Sequence, residues 1–143
     1  MKRGACRQAA QLSISPAFGQ AELHRDKWES SLQSSNTAAF AETLRSIASE
    51  VTGKDQAFRD GPVFTSPDAE GVRVVFPRPG TFPTRLTALH RHLAEDSAPP
   101  VFRGMIALVA LTNCHPFWDG NGRTARIVAN LILNALTDVR LGL

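Results

Sequence analysis

The chain has no tyrosine, only two cysteines, and no apolar run of membrane-spanning length in its 143 residues. Each absence closes a route. Cys6 and Cys114 lie far apart and lack Cys-x-x-Cys spacing, so they indicate neither a disulfide framework nor a zinc site, and a reducing cytoplasm fits. The N-terminus carries Lys2, Arg3 and Arg7 but no continuous apolar core before Ser13 and Pro16, which argues against general secretory export. No stretch is long enough to cross a bilayer, so no membrane partner is expected. Without tyrosine, any modified hydroxyl of the chain itself belongs to Ser or Thr. Charge of either sign is also thin. Sixteen Lys and Arg against thirteen Asp and Glu give a scattered net +3, which reads as a solvated surface and not as a nucleic-acid footprint. Two common nucleotide loops are missing as well: Gly53-Lys54 runs on to Asp55 where a phosphate-binding loop needs Ser or Thr, and no Gly-x-Gly-x-x-Gly follows a strand.

What is present suits one mainly α-helical domain. Hydrophobic residues make up 43% of the chain and charged residues 20%, enough for a core of its own. Residues 1–19 are poor in large apolar side chains and read as a loosely ordered lead-in, leaving 20–143 as the folded unit. A short helix is expected from Gln20 to about Ser34, with Leu23, Trp28 and Leu32 as packing residues. Asn36 or Thr37 caps the next, whose Phe40, Leu44, Ile47, Ala48 and Val51 form one stripe before Gly53. A loop rich in Gly and Pro follows. Val72-Arg73-Val74-Val75-Phe76 is then the one convincing strand, ended by Pro77-Arg78-Pro79-Gly80. Pro83-Thr84 starts a helix with Leu86, Leu89 and Leu93 on one face. His90 and His92 stand two residues apart, so a helix cannot aim both at one metal, and both are expected on the surface. Pro99-Pro100 opens a helix that is apolar on more than one side through Val101, Phe102, Met105, Ile106, Leu108, Val109 and Leu111, and so should sit at the centre of the core. The last helix carries Ile127, Val128, Leu131, Ile132, Ala135 and Leu136.

Between these two helices lies the chemistry. His115-Pro116-Phe117-Trp118-Asp119-Gly120-Asn121-Gly122-Arg123-Thr124-Ala125-Arg126 gathers a proton acceptor, a carboxylate, a Gly-Asn-Gly turn and two arginines. Phosphoryl-group chemistry on a nucleotide needs these parts: a base for the incoming hydroxyl, a magnesium ligand, backbone amides for phosphate oxygens and cations for the leaving group. A loop entering a helix N-terminus presents unpaired N–H groups. Arg123 and Arg126, at i and i+3, share a helical face. Cations are disfavoured at that end of a helix, a conflict that a bound polyanion would resolve. Asp119 offers the hard oxygen that magnesium prefers. Phe117 reads as a core residue that fixes the loop, Trp118 is left between packing and site cover, and Cys114 reads as a buried structural thiol.

The segment resembles the signature of the Fic family, His-Pro-Phe-x-Asp/Glu-Gly-Asn-Gly-Arg-x-x-Arg, and matches it at every defined position. The resemblance implies a Fic-type helical bundle with a small β-hairpin flap over the active-site loop. It implies His115 as the base, Asp119 as the Mg²⁺ ligand, and Gly120, Asn121, Gly122, Arg123 and Arg126 as the residues that hold the triphosphate of ATP. The product would be an adenylylated Ser, Thr or Tyr on a target protein, docked in extended form on the flap at Val74, Val75 and Phe76. Phe58 and Arg59 match an aromatic-Arg pair often found in this loop of the family. In the Doc branch a lysine replaces the residue equivalent to Gly122 and a phosphate is transferred, so Gly122 argues for nucleotidyl transfer. The base of the nucleotide is not specified by the signature; ATP is the family's usual donor, and other nucleotides remain open.

Two departures bear on regulation. The nearest match to the family's inhibitory Ser/Thr-x-x-x-Glu-Gly/Asn is Ser46-Ile47-Ala48-Ser49-Glu50, but Val51 follows it, so this reads as an ordinary amphipathic helix. A small antitoxin-like partner, or a missing C-terminal helix, would then supply the glutamate. The chain also ends soon after Arg126, where family members usually continue, so it reads as a fragment or a minimal member. The competing reading is a non-catalytic nucleotide-binding or interaction module with an incompletely assembled site.

Overall fold

A computed structural model describes residues 24–32, 34–95 and 98–134. Five α-helices are formed among them: α1 (Arg25–Leu32), α2 (Thr37–Thr52), α3 (Phe82–Ala94), α4 (Pro100–Cys114) and α5 (Asn121–Asn134), with a short 3₁₀ turn at Pro79–Thr81 leading into α3. The expected Leu23, Ala135 and Leu136 lie outside the described residues.

Local sequence sets the ends of α2. Asn36 caps it by accepting from the N–H of Ala38 at 2.9 Å and of Ala39 at 3.4 Å, and Gly53 closes it in the left-handed region at φ 65°. Phe40, Leu44, Ile47, Ala48 and Val51 are all buried, as one stripe should be. Trp28 of α1 locks onto this helix through its indole N–H, which donates to Ser46 Oγ at 3.2 Å, so Ser46 has a structural task.

The centre of the fold is α5 rather than α4. Helix α5 packs on α4, α2 and α1, and buries Ala125, Ile127, Val128, Ala129, Leu131 and Leu133. Helix α4 touches α5 and α3 and leaves Val101, Phe102, Met105 and Val109 exposed at 53%, 57%, 43% and 53%. The expectation of a central α4 fails because its buried face is made of small residues, Gly104 and Ala107, with Leu111 and Cys114. Small residues let α5 approach closely: a Cβ on Gly104 would lie 3.0 Å from Leu133 Cγ and 3.2 Å from the Ala129 carbonyl. The large side chains are thereby turned outward.

His90 is a second correction. It was expected on the surface and is 3% exposed, stacked on Phe40 at 4.9 Å. Its Nδ1 pairs with Thr37 Oγ1, and its Nε2 faces the Ser34 carbonyl, to which it must donate. The strand expected at 72–76 is reduced to one antiparallel bridge, Phe64 with Val75. Around it Thr65 N–H donates to the Val74 carbonyl and Phe76 N–H to that of Val63, both at 3.0 Å, and Asp68 holds the tip through the N–H groups of Glu70 and Val72. The result is a hairpin-shaped loop without a regular ladder. Its inward pairing leaves the peptide groups of Arg73 and Val75 without a backbone partner among the described residues.

Candidate active site

Helix α4 stops at His115, which turns left-handed at φ 48°, while its N–H still bonds the Leu111 carbonyl at 3.0 Å. A non-glycine residue in this region is strained by about 1–3 kcal/mol and persists only where its surroundings hold it. Here they do. Phe76 stacks on the imidazole with ring centroids 3.9 Å apart, and Arg59 Nε donates to the His115 carbonyl at 2.6 Å. The half-buried ring has its pKa pushed below the ordinary histidine value, chiefly by burial, opposed by the Thr112 backbone and aided by the Arg59 charge. Nδ1 is buried and makes no complete hydrogen bond; the Thr112 backbone favours the protonated ring without satisfying that nitrogen. A histidine in this state is neutral near pH 7 and able to take a proton.

The loop from His115 to α5 is clamped by its own side chains. Asn121 is 4% exposed and grips Phe117 at both backbone atoms: Oδ1 accepts from the Phe117 N–H at 2.9 Å, and Nδ2 donates to the Phe117 carbonyl at 2.8 Å. Its amide is therefore engaged within the loop, and only its main chain faces the helix N-terminus. Phe117 is buried and stacks on Phe58 at 5.2 Å. Gly120 has φ 77°, and a Cβ there would sit 2.7 Å from Thr52 Cγ2, so only glycine lets the loop close onto α2. Gly122 is different: a Cβ would meet only Arg126 Nη1, at 3.9 Å. The space beside Gly122 thus opens toward Arg126.

The first bond within α5 runs from Thr124 N–H to the Gly120 carbonyl, which leaves the N–H groups of Asn121, Gly122 and Arg123 directed out of the helix N-terminus. The two arginines divide. Arg123 Nη1 donates to the Val51 carbonyl at the end of α2 at 2.6 Å, and Nη2 lies 3.5 Å from Asp119 Oδ1. The negative end of α2 thus relieves its unfavourable place at the start of α5. Arg126 is exposed; its carbonyl accepts from Asn130 Nδ2 at 3.0 Å, and its guanidinium makes no hydrogen bond or ion pair among the described residues. The anion expected from the helix dipole is therefore called for mainly by Arg126.

Asp119 is exposed; its Oδ1 accepts the Gly120 N–H at 2.6 Å, and Oδ2 is available. Among the described residues no group of three or more His, Cys, Asp or Glu could enclose a metal. Asp119 fits as a single hard-oxygen ligand to an ion whose remaining ligands come from phosphate and water. Trp118 is 56% exposed, with its indole edge over Gly61. Cys114 is buried, and burial raises its pKa, so it is an inert thiol in the core.

A residue of greater structural weight than sequence pattern conveyed is Arg59, 1% exposed. Besides the His115 carbonyl, it donates to those of Gly61 and Pro77 at 2.6 Å each and, at 3.5 Å, of Cys114. It also lies 4.7 Å over the Phe82 ring. A lone charge in an irregular loop has no periodicity to mark it; the adjoining Phe58 was the available signal.

The family model described as Fic/DOC family matches residues 20–133. The chain belongs to this family. Fic domains are known generally for transferring nucleotide-derived groups to proteins. The fold is similar to a Fic family protein from Desulfovibrio desulfuricans G20, with a TM-score of 0.59 and 20% identity over 85% of this chain. It is also similar to a Fic domain containing signaling protein from Bacteroides thetaiotaomicron VPI-5482, with a TM-score of 0.60 and 20% identity over 82% of this chain. This chain covers 38% and 47% of those two chains, less than half of either. Among curated proteins there is no match.

Proposed function

We propose that this Fic domain transfers AMP from ATP to a Ser, Thr or Tyr hydroxyl of a target protein, releasing pyrophosphate. The observation that carries the reading is one clamped loop with a neutral His115 at one end and, at the other, an open helix N-terminus beside an unengaged Arg126. In the proposed reaction the target oxygen attacks the α-phosphorus, the bond from that phosphorus to the bridging oxygen of the β-phosphate breaks, and the hydroxyl proton passes to His115. The N–H groups at Asn121, Gly122 and Arg123, with Arg126, would receive the phosphate charge. Mg²⁺ held through Asp119 would supply further charge neutralisation on the phosphate oxygens.

Exposed Phe64, Val72, Val74 and Val75 and the free peptide edge of Val75 suit an extended target segment added by backbone pairing. A small partner protein that supplies an inhibitory glutamate remains part of the proposal, because Ser46 is already engaged by Trp28. The test uses labelled ATP, Mg²⁺ and a cell lysate. The chain should label lysate proteins, and His115→Ala should lower the rate by about 10²–10⁴-fold. Equal labelling by both, or no labelling by either despite ATP binding, refutes transfer and favours a nucleotide-binding module.

A further inference from the structure

Arg59 is a buried cation with no carboxylate paired to it among the described residues. Its donors meet four carbonyl oxygens from three segments: Gly61 on the first limb of the hairpin loop, Pro77 on the second, and Cys114 with His115 at the end of α4. Its own N–H donates to the Pro116 carbonyl at 2.9 Å. Carbonyls at a helix C-terminus carry the negative end of the macrodipole, so they favour a cation without neutralising it. A planar fork with five N–H groups can reach such a spread of acceptors; an ammonium group has three and no fixed plane. Phe76, which stacks on the His115 ring, directly precedes Pro77, whose carbonyl Arg59 holds. The second limb is thus joined to His115 twice, through the ring from above and through Arg59 from behind.

We propose that Arg59 is a positioning residue that couples the hairpin loop to His115, so that the placement of the loop and the aim of the imidazole change together. The inference rests on reading His115 as the base. It goes beyond that reading by giving the loop a second task besides docking: holding the left-handed backbone of His115 and the face-on contact with Phe76. The phosphate site at the start of α5 has no contact with Arg59 among the hydrogen bonds described, so nucleotide binding lies outside the coupling.

The decisive variant is Arg59→Lys, which keeps the charge and loses the fork. In ligand-free protein, Phe76 should displace the His115 ring-proton resonances upfield, and Phe76→Leu supplies the unstacked reference. In Arg59→Lys, checked to be folded by thermal melting, more than half of that displacement should vanish. The kcat should fall by about 10–100-fold, the scale of a misplaced reacting group, while the KM for nucleotide changes less than about twofold. A folded Arg59→Lys that keeps both the ring displacement and kcat overturns the proposal. If the variant fails to fold, the wild-type chain decides: the Arg59 Nε–H should exchange slowly and shift on Phe76→Leu, and a rapidly exchanging or unmoved Nε–H overturns the proposal. Ring coupling without nucleotide transfer would refute the proposed function alone, whereas transfer by a chain without the coupling would refute this inference alone.

Discussion

The loop that carries the candidate site and the hairpin loop stand side by side and are built on opposite plans. From His115 to Asn121 the chain consumes its polar groups internally: the Asn121 amide takes both backbone atoms of Phe117, Asp119 takes the Gly120 N–H, and the His115 and Pro116 carbonyls go to Arg59. From Val63 to Phe76 one bridge is made, large apolar side chains face solvent, and peptide groups on the outer edge have no backbone partner among the described residues. Groups that must hold an angle are over-determined, and groups that would accept a variable partner are left open.

The comparison breaks most sharply at Asn121. Asn121→Ala leaves the buried Phe117 N–H and carbonyl without partners, which should lower stability by about 2–4 kcal/mol and reduce transfer more than tenfold. Denaturant unfolding and initial rates check both. An unchanged unfolding midpoint would show that the clamp is not what holds the loop.

A smaller effect is expected on the other side. Val75→Pro removes an N–H that faces outward and spares the bonds made by Val74 and Phe76, so stability should stay within about 0.5 kcal/mol of wild type. The KM for target should rise about 3–10-fold, the worth of one hydrogen bond, with nucleotide KM unchanged. A loss of stability with no change in target KM would make the loop structural and not a docking edge.

The smallest effect is in pH. Burial under Phe76 lowers the His115 pKa, so the base form persists below pH 6.5, and the rate should rise with pH through a midpoint on the acid side of that value. Stability carries the same sign. Between the lowered folded value and 6.5 the unfolded chain binds the proton more readily, so this contribution is present above 6.5 and is lost as pH falls through that window. Phe76→Ala, by exposing the ring, should move the rate midpoint back toward 6.5.

Much of this was legible in local patterns. The caps at Asn36 and Gly53, the stripe from Phe40 to Val51 and the stripe Leu86, Leu89 and Leu93 follow from periodicity and turn chemistry, and all are realised. The twelve-residue signature marked the site because its spacing is itself local. What escaped depended on partners distant in sequence. His90 is buried because Ser34 and Thr37 meet it from the connection between α1 and α2. Strand propensity at 72–76 could not reveal that the facing limb supplies only one bridge. The apolar character of α4 gave no hint that Gly104 and Ala107 would form its buried face. The roles of the two arginines separated only when the end of α2 arrived beside Arg123.

The central place of α5 has a consequence for how the protein comes to exist. Its inner helix is the last described element to leave the ribosome, after every helix that packs on it. A nascent chain that has made α1 through α4 still lacks the surface that α1, α2 and α4 enclose, along with Asn121, Arg123 and Arg126. Core and candidate site therefore arrive together, and a product cut short before Asn121 loses both at once. Under the proposed function, the order of synthesis itself keeps an unfinished copy from modifying a target.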